Sequence, residues 1–372
     1  MRQITMWIAA GLASAASVAA PAWAQSNQYE FRDGQWVQVA EPSRGTAAGE
    51  LELLRRHLQQ GNNRRAIKVA RRIVKDYPAA PETEEAMLLA ARAWKREGYF
   101  FKAYEMLERQ LAEYPNGQFA AQARNLEFEI GQAFLDGKKR WVFGFIPVSA
   151  GSDGVEILQR VAERAPTSAL AEQSLWAIAG YHYNARHYPE AADAYDRYVQ
   201  SFPDTERAPR AMLQAARATF ASFEGVRFEA APLLDARQRF VVFRQRYPEK
   251  ARRAGVNGIL QQIYDLRAEK SYRAGRFYQR VDRDEAAAFY FRSTVNEFPS
   301  SPWARKSRQR LSEMNAPLDG PAATSRPDEP VKSPTAAAAG EDAPAEEASE
   351  DFVEHGAFEP AGPADANKEA QP

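Results

Sequence analysis

The sequence contains no cysteine. Disulfides and thiolate metal sites are therefore excluded, and any core must hold by burial alone. A bacterial lipoprotein carries its acyl chains on a cysteine, so a lipid anchor of that kind is not expected here. Histidine is also scarce: His57, His182, His187 and His355 are the only four. His182 and His187 are five apart, a spacing that puts them on different helix faces or in a turn, and no metal site is expected from them. There is no phosphate-binding glycine loop ending in Lys and Ser or Thr, no HExxH and no nucleophile elbow. The carboxylates Asp193 and Asp196 lie one helical turn apart, as many do on a solvated face. Residues 151–154 read as a turn before a helix. No catalytic residue and no cofactor are expected, so the chain reads as a non-enzyme.

Long apolar runs are confined to the start. Arg2 is followed by an uncharged stretch over residues 4–20, then Pro21 and Ala22-Trp23-Ala24. A basic start, an apolar core and small residues before a cut form the layout of a secretory signal. Cleavage is expected before Gln25, leaving an exported chain. No later segment is apolar enough to span a bilayer.

The net charge is zero but unevenly spread. Residues 315–372 hold 13 Asp and Glu against 3 Lys and Arg, while the remainder, Arg2 apart, holds 45 basic against 36 acidic residues. The basic residues are scattered around the chain and not gathered in an aromatic-interleaved strip, so nucleic acid is not an expected partner. Residues 315–372 are also rich in Ala, Pro and Glu and poor in large apolar groups. They cannot bury enough to offset ordering entropy, and a disordered acidic tail is expected.

What recurs is an aromatic residue followed by proline. The pairs are Tyr77-Pro78, Tyr114-Pro115, Phe202-Pro203, Tyr247-Pro248 and Phe298-Pro299, with Ala165-Pro166 as a degenerate copy. Proline cannot continue a helix, so each pair ends one helix and starts the turn to the next. The proline spacing is close to a tetratricopeptide repeat, lengthened in places by insertions. Between the stops, small and large apolar residues recur at helical spacing. Met87, Ala90, Ala91 and Trp94 precede Ala103 and Leu107; Leu175, Ile178 and Ala179 precede Ala191 and Tyr195; Ala287 precedes Phe291.

Helix pairs are expected near 47–60 with 63–77, 83–97 with 99–113, 118–136 with 153–164, 168–184 with 188–201, 206–222 with 229–246, and 249–279 with 282–297. A capping helix is expected near 302–314. The fold class is all-α, a right-handed superhelical tetratricopeptide solenoid of five to six helix pairs over residues 46–314. It is preceded by a signal (1–24) and a hairpin or linker (25–45), where alternation around Asp33-Gly34 signals a two-residue hairpin. Residues 138–151 interrupt the third repeat with Trp141, Phe143 and Phe145. These aromatics either tuck under a neighbouring repeat, dock on a partner protein, or touch a membrane beside Lys138, Lys139 and Arg140.

A solenoid leaves a concave face lined by first helices. Leu51, Arg55, Leu88, Arg92, Lys95, Trp176 and Tyr183 are expected to point into it and to hold an extended peptide.

The final repeats carry a resemblance. The stretch Ala268-Glu269-Lys270-Ser271-Tyr272-Arg273-Ala274-Gly275-Arg276-Phe277-Tyr278, then Glu285-Ala286-Ala287 and Glu297-Phe298-Pro299, is similar to the fifth repeat of the BamD-like family of outer-membrane assembly lipoproteins. The unit from Ala169 to Pro203 fits the same style, and the likeness covers residues 46–314. It implies a five-repeat periplasmic scaffold that docks on the barrel-insertion protein BamA and on nascent outer-membrane barrels. The missing cysteine, the 138–151 insertion and the acidic tail depart from that pattern. A scaffold for cell-division or peptidoglycan machinery is the alternative, and a repeat-based enzyme or ligand-binding protein is a third reading of a different class.

Overall fold

The computed structural model describes residues 28–32, 35–39, 45–143 and 145–318. The expected signal and the expected tail from residue 319 onward lie outside the described residues. Two compact units divide the chain, residues 1–165 and 166–372.

The first unit opens on an antiparallel hairpin, β1 (Gln28–Arg32) and β2 (Gln35–Val39), with Arg32 opposite Gln35. That pairing brackets Asp33-Gly34, which lie outside the described residues. Six helices follow: α1 (Ala47–Gln59), α2 (Asn63–Asp76), α3 (Glu82–Arg96), α4 (Phe100–Glu113), α5 (Ala120–Leu135) and α6 (Gly151–Arg164). A second hairpin, β3 (Lys139–Val142) and β4 (Ile146–Ser149), joins α5 to α6. Each helix packs on the next, and α3 also touches both α1 and α5. The first helices of successive pairs therefore form a row, the arrangement that defines this repeat class.

The second unit comprises α7 (Ala169–Asn184), α8 (Tyr188–Ser201), α9 (Ala208–Ala221), α10 (Ala231–Arg246), α11 (Pro248–Arg253), α12 (Val256–Arg280), α13 (Asp284–Glu297) and α14 (Pro302–Glu313). Here too consecutive helices pack, and α14 closes the unit against α12 and α13.

The stops behave as their chemistry requires. Tyr77, Tyr114, Phe202, Tyr247 and Phe298 are the C-cap residues of α2, α4, α8, α10 and α13. Some rings fold back on their own helix: Phe202 lies 5.8 Å from Tyr198, and Tyr247 lies 5.6 Å from Phe243. Tyr114 instead reaches the preceding stop, its hydroxyl donating to the Pro78 carbonyl at 3.1 Å.

Starts are marked as well. Thr46, Ser168 and Ser301 accept a hydrogen bond from the backbone N–H three residues on, capping α1, α7 and α14.

Two expectations are corrected. Residues 151–154 are the first turn of α6, not a turn before it. The reason is packing: α6 crosses α5 where both lack a side chain. A Cβ on Gly154 would lie 2.8 Å from the Gly131 carbonyl oxygen, and one on Gly131 would lie 2.7 Å from Leu158. The expected helix over 249–279 is also broken in two. Gly255 takes a left-handed φ of 68° and separates α11 from α12. The apolar period runs through this point, so only backbone conformation reveals the break.

These glycines make a paired prediction. Gly154→Ala should destabilise the chain by about 1–3 kcal/mol, because the crossing has no room for a methyl. Gly180→Ala, in α7 with nothing within 4 Å of the added carbon, should stabilise it by about 0.5–1 kcal/mol through helix propensity. Thermal melts of the two variants should move in opposite directions.

Candidate partner-binding surfaces

The row of first helices in the first unit carries the basic residues expected in a groove. Arg55 on α1 donates through Nε and Nη2 to both oxygens of Glu85 on α3, at 2.9 and 2.7 Å. That bidentate bond raises its pKa further. Arg92 on α3 donates to Gln122 on α5 at 2.8 Å, and Lys95 pairs with Glu129 on α5. Each predicted cation thus bridges one first helix to the next.

Between α3 and α5 lies an open groove of about 430 Å³, lined by Arg92, Lys95, Arg96, Phe100, Gln122, Asn125, Leu126 and Glu129. Sequence reasoning missed Arg96, Phe100 and all of the α5 residues. The signal was present in the helical period, since 92, 95 and 96 on α3 face 122, 125, 126 and 129 on α5. Its mixed polarity, with cations at hand and Phe100 and Leu126 beside them, suits an extended peptide with a negative group.

Three predicted groove residues do not reach any surface. Leu51, Leu88 and Tyr183 are buried. Leu51 belongs to the core around α1 and α2, and Leu88 to the core around α3 to α6. A large apolar residue on a first helix lowers its free energy most by filling the gap to the second helix, and these three do so.

Trp176, on α7 in the second unit, is half-buried. It meets Tyr195 and Tyr198 edge-on at 5.6 and 5.5 Å. The exposed guanidiniums of Arg207 and Arg210 sit 5.8 and 5.6 Å from its ring centre. Its position is fixed from below: the Tyr198 hydroxyl donates to Glu172 at 2.6 Å, and burial together with that bond pushes the Tyr198 pKa up to about 12. The result is a ring framed by two cations, with both arginines absent from the sequence-based site.

The two histidines do meet. Of the two expected placements the turn holds: His187 is the N-cap of α8, and its ring lies 6.0 Å from that of His182 across the α7–α8 turn. Burial holds the His182 pKa down. Among the described residues no group of three or more metal-ligating side chains forms. Asp196 proves structural, accepting from Arg239 on α10 at 2.7 and 2.9 Å.

The 138–151 insertion is the β3–β4 hairpin. Its aromatics do not tuck beneath a repeat: Trp141, Phe143 and Phe145 are 45%, 83% and 72% exposed.

Beneath these surfaces one charged cluster sets how α5 sits between α4 and α6. Glu127 on α5 has a side chain only 1% exposed, and Arg164 on α6 donates to it at 2.7 Å. Arg164 also pairs with Glu108 on α4 at 2.7 Å, and Arg160 reaches the same carboxylate at 3.3 Å. Burial, aided by nearby Glu108, pushes the Glu127 pKa up to about 7 against the pull of Arg164. For Glu108 burial also acts upward but is outweighed, chiefly by Arg164, which holds it below the usual carboxylate range.

The folded chain therefore binds the Glu127 proton more tightly than the unfolded chain does. Its contribution to stability is complete below about pH 4.5, declines as pH rises, and is lost above about pH 7. Glu127→Gln should abolish this dependence, which amounts to about 1–3 kcal/mol. Denaturant titrations of parent and variant at about pH 5 and pH 8 compare the two.

Residues 149–327 match the YfiO family, described as an outer membrane lipoprotein. The match runs from the end of β4 through α14, so the BamD-like resemblance of the sequence holds there. No curated protein matches the chain. Among solved structures it is similar to PilW, a "widely conserved type IV pilus biogenesis factor", at 15% identity over 71% of this chain and 99% of that one, with a TM-score of 0.25. It is similar to a tetratricopeptide repeat protein from Parabacteroides merdae at 12% identity over 72% and 98%, with a TM-score of 0.31. For Pseudomonas aeruginosa pilF the values are 14%, 71%, 97% and 0.25. The helices pair as a tetratricopeptide-type repeat fold, and over residues 149–327 the chain is similar to the YfiO family.

Proposed function

We propose that this chain is a non-enzymatic adaptor in outer-membrane β-barrel assembly, acting at the periplasmic face of the outer membrane. The observation that carries this reading is the YfiO match over residues 149–327. Its partners are then a barrel-insertion protein and nascent outer-membrane proteins. The α3–α5 groove is the surface we assign to an extended client segment, with Arg92 and Lys95 reading its negative end and Phe100 and Leu126 its apolar side chains. Trp176 between Arg207 and Arg210 is a second anchor point of similar chemistry. The family's description as a lipoprotein does not carry over residue by residue, since none of the 372 residues is a cysteine.

The test is capture from an envelope extract. The tagged full chain should retain a barrel-insertion protein. Arg92→Ala with Lys95→Ala should lower capture of an unfolded barrel segment by about tenfold or more while leaving the melt within about 1 kcal/mol of the parent, because each change removes only one partly exposed pairing with α5. Retention of cell-division or peptidoglycan proteins in place of a barrel-insertion protein would sink this reading.

A further inference from the structure

The four exposed large apolar side chains among the described residues of the first unit are Trp141, Phe143, Phe145 and Ile146, all on the β3–β4 hairpin. Residues 137–152 carry Lys138, Lys139 and Arg140 and no carboxylate. The three cations divide their work. Arg140 roots the hairpin: its guanidinium carbon lies 3.6 Å from the centre of the Phe101 ring on α4, and its Nη1 lies 3.3 Å from Asp153 on α6. Lys138 and Lys139 are exposed, and among the described residues no ion pair engages them.

Strand geometry sorts the side chains. Along β3, Lys139 and Trp141 are exposed while Arg140 and Val142 are half-buried, so a cation and an aromatic share the outward face. Trp141 stands opposite Pro147 and Val142 opposite Ile146. The loop between them holds Phe143 at a φ of 53°, a left-handed conformation that a bulky side chain seldom adopts, and Phe143 and Phe145 are the most exposed large apolar residues of the hairpin.

We infer that this hairpin is a membrane-surface contact: Trp141, Phe143 and Phe145 enter the interfacial layer of a bilayer bearing anionic headgroups, and Lys138 and Lys139 pair with those headgroups. Two observations favour a lipid surface over a protein. The hairpin's own charges are of one sign, which complements an anionic surface, and of the two flanking carboxylates, Asp136 and Asp153, the second is held by Arg140. The apolar patch is also small and isolated, whereas a specific protein interface engages about 20–30 residues a side. A bilayer interface needs no shape-matched partner, and aromatics beside lysines are the residues that partition into it. This inference does not depend on which protein the chain assists.

The full chain should float with vesicles of phosphatidylcholine containing roughly one-third phosphatidylglycerol and stay behind with phosphatidylcholine alone, with binding that weakens as salt rises. The triple variant Trp141→Ser, Phe143→Ser, Phe145→Ser should bind about tenfold less, as should Lys138→Glu with Lys139→Glu. Both should melt like the parent, since these side chains are exposed. The inference fails if the parent does not float with anionic vesicles, or if the variants float as well as the parent. It fails equally if the aromatic variant floats normally but loses a co-purifying envelope protein, which would assign the tip to a protein partner.

Discussion

Where α12 crosses α13, the ring of Phe291 occupies the space a side chain on Gly275 would need, within 2.6 Å of where its Cβ would stand. The same close approach recurs at Gly131 and Gly154 between α5 and α6, and in the fully buried alanines Ala66, Ala70, Ala90, Ala91, Ala103, Ala191 and Ala287. Two helices joined by a short turn can bury their apolar stripes only if their backbones come close enough to exclude water. Small residues at the crossing permit it, and a large neighbour fills what remains. The cores, the helix rows and the surfaces they expose all follow from this requirement, in a chain with no disulfide to share the load.

Polar groups then fix which helix faces which. Charged pairs run between helices of different repeats, Arg55 with Glu85, Lys95 with Glu129, Arg239 with Asp196 and Arg164 with Glu108, and Arg164 also pairs with Glu127 inside its own repeat. The exposed ones add little free energy, but they set register along a row that apolar packing alone leaves free to slide. The buried Glu127 pair is different. Desolvation raises its pKa against the pull of Arg164, so ionising Glu127 opposes folding as pH rises toward 7.

The boundaries of most helices were legible because proline and the residue before it leave no alternative. Tyr77, Tyr114, Phe202, Tyr247 and Phe298 could be placed at helix ends from the chain alone, and the Ala287–Phe291 spacing located a core contact that is fully buried. The break at Gly255 was not legible, since the apolar pattern continues across it and a glycine inside a helical run carries no mark of its φ. The start of α6 was misread for a related reason: its first-turn glycines look like loop formers unless the facing Gly131 is known. Leu51, Leu88 and Tyr183 were assigned to a groove because period alone gives a face, not which neighbour covers it. Arg55 and Arg92 are exposed and Lys95 half-buried, and their partners lie some 30 residues away on the next first helix, beyond any local pattern.

Arg92 and Lys95 are engaged by an amide and a carboxylate of the next first helix, so any ligand of the α3–α5 groove must displace Gln122 from Arg92 or Glu129 from Lys95. Such exchange of one partner for another favours ligands that bring their own negative charge and disfavours neutral ones. Lys138 and Lys139 stand outside that network, on a hairpin whose only charged root is Arg140 with Asp153. A hairpin of two four-residue strands is too small to hold itself. It keeps its place because Arg140 covers Phe101 and pairs with Asp153 in the first turn of α6, which follows directly on β4. The aromatic tip is thereby presented from a fixed base, which lets it remain exposed without collapsing onto the repeats.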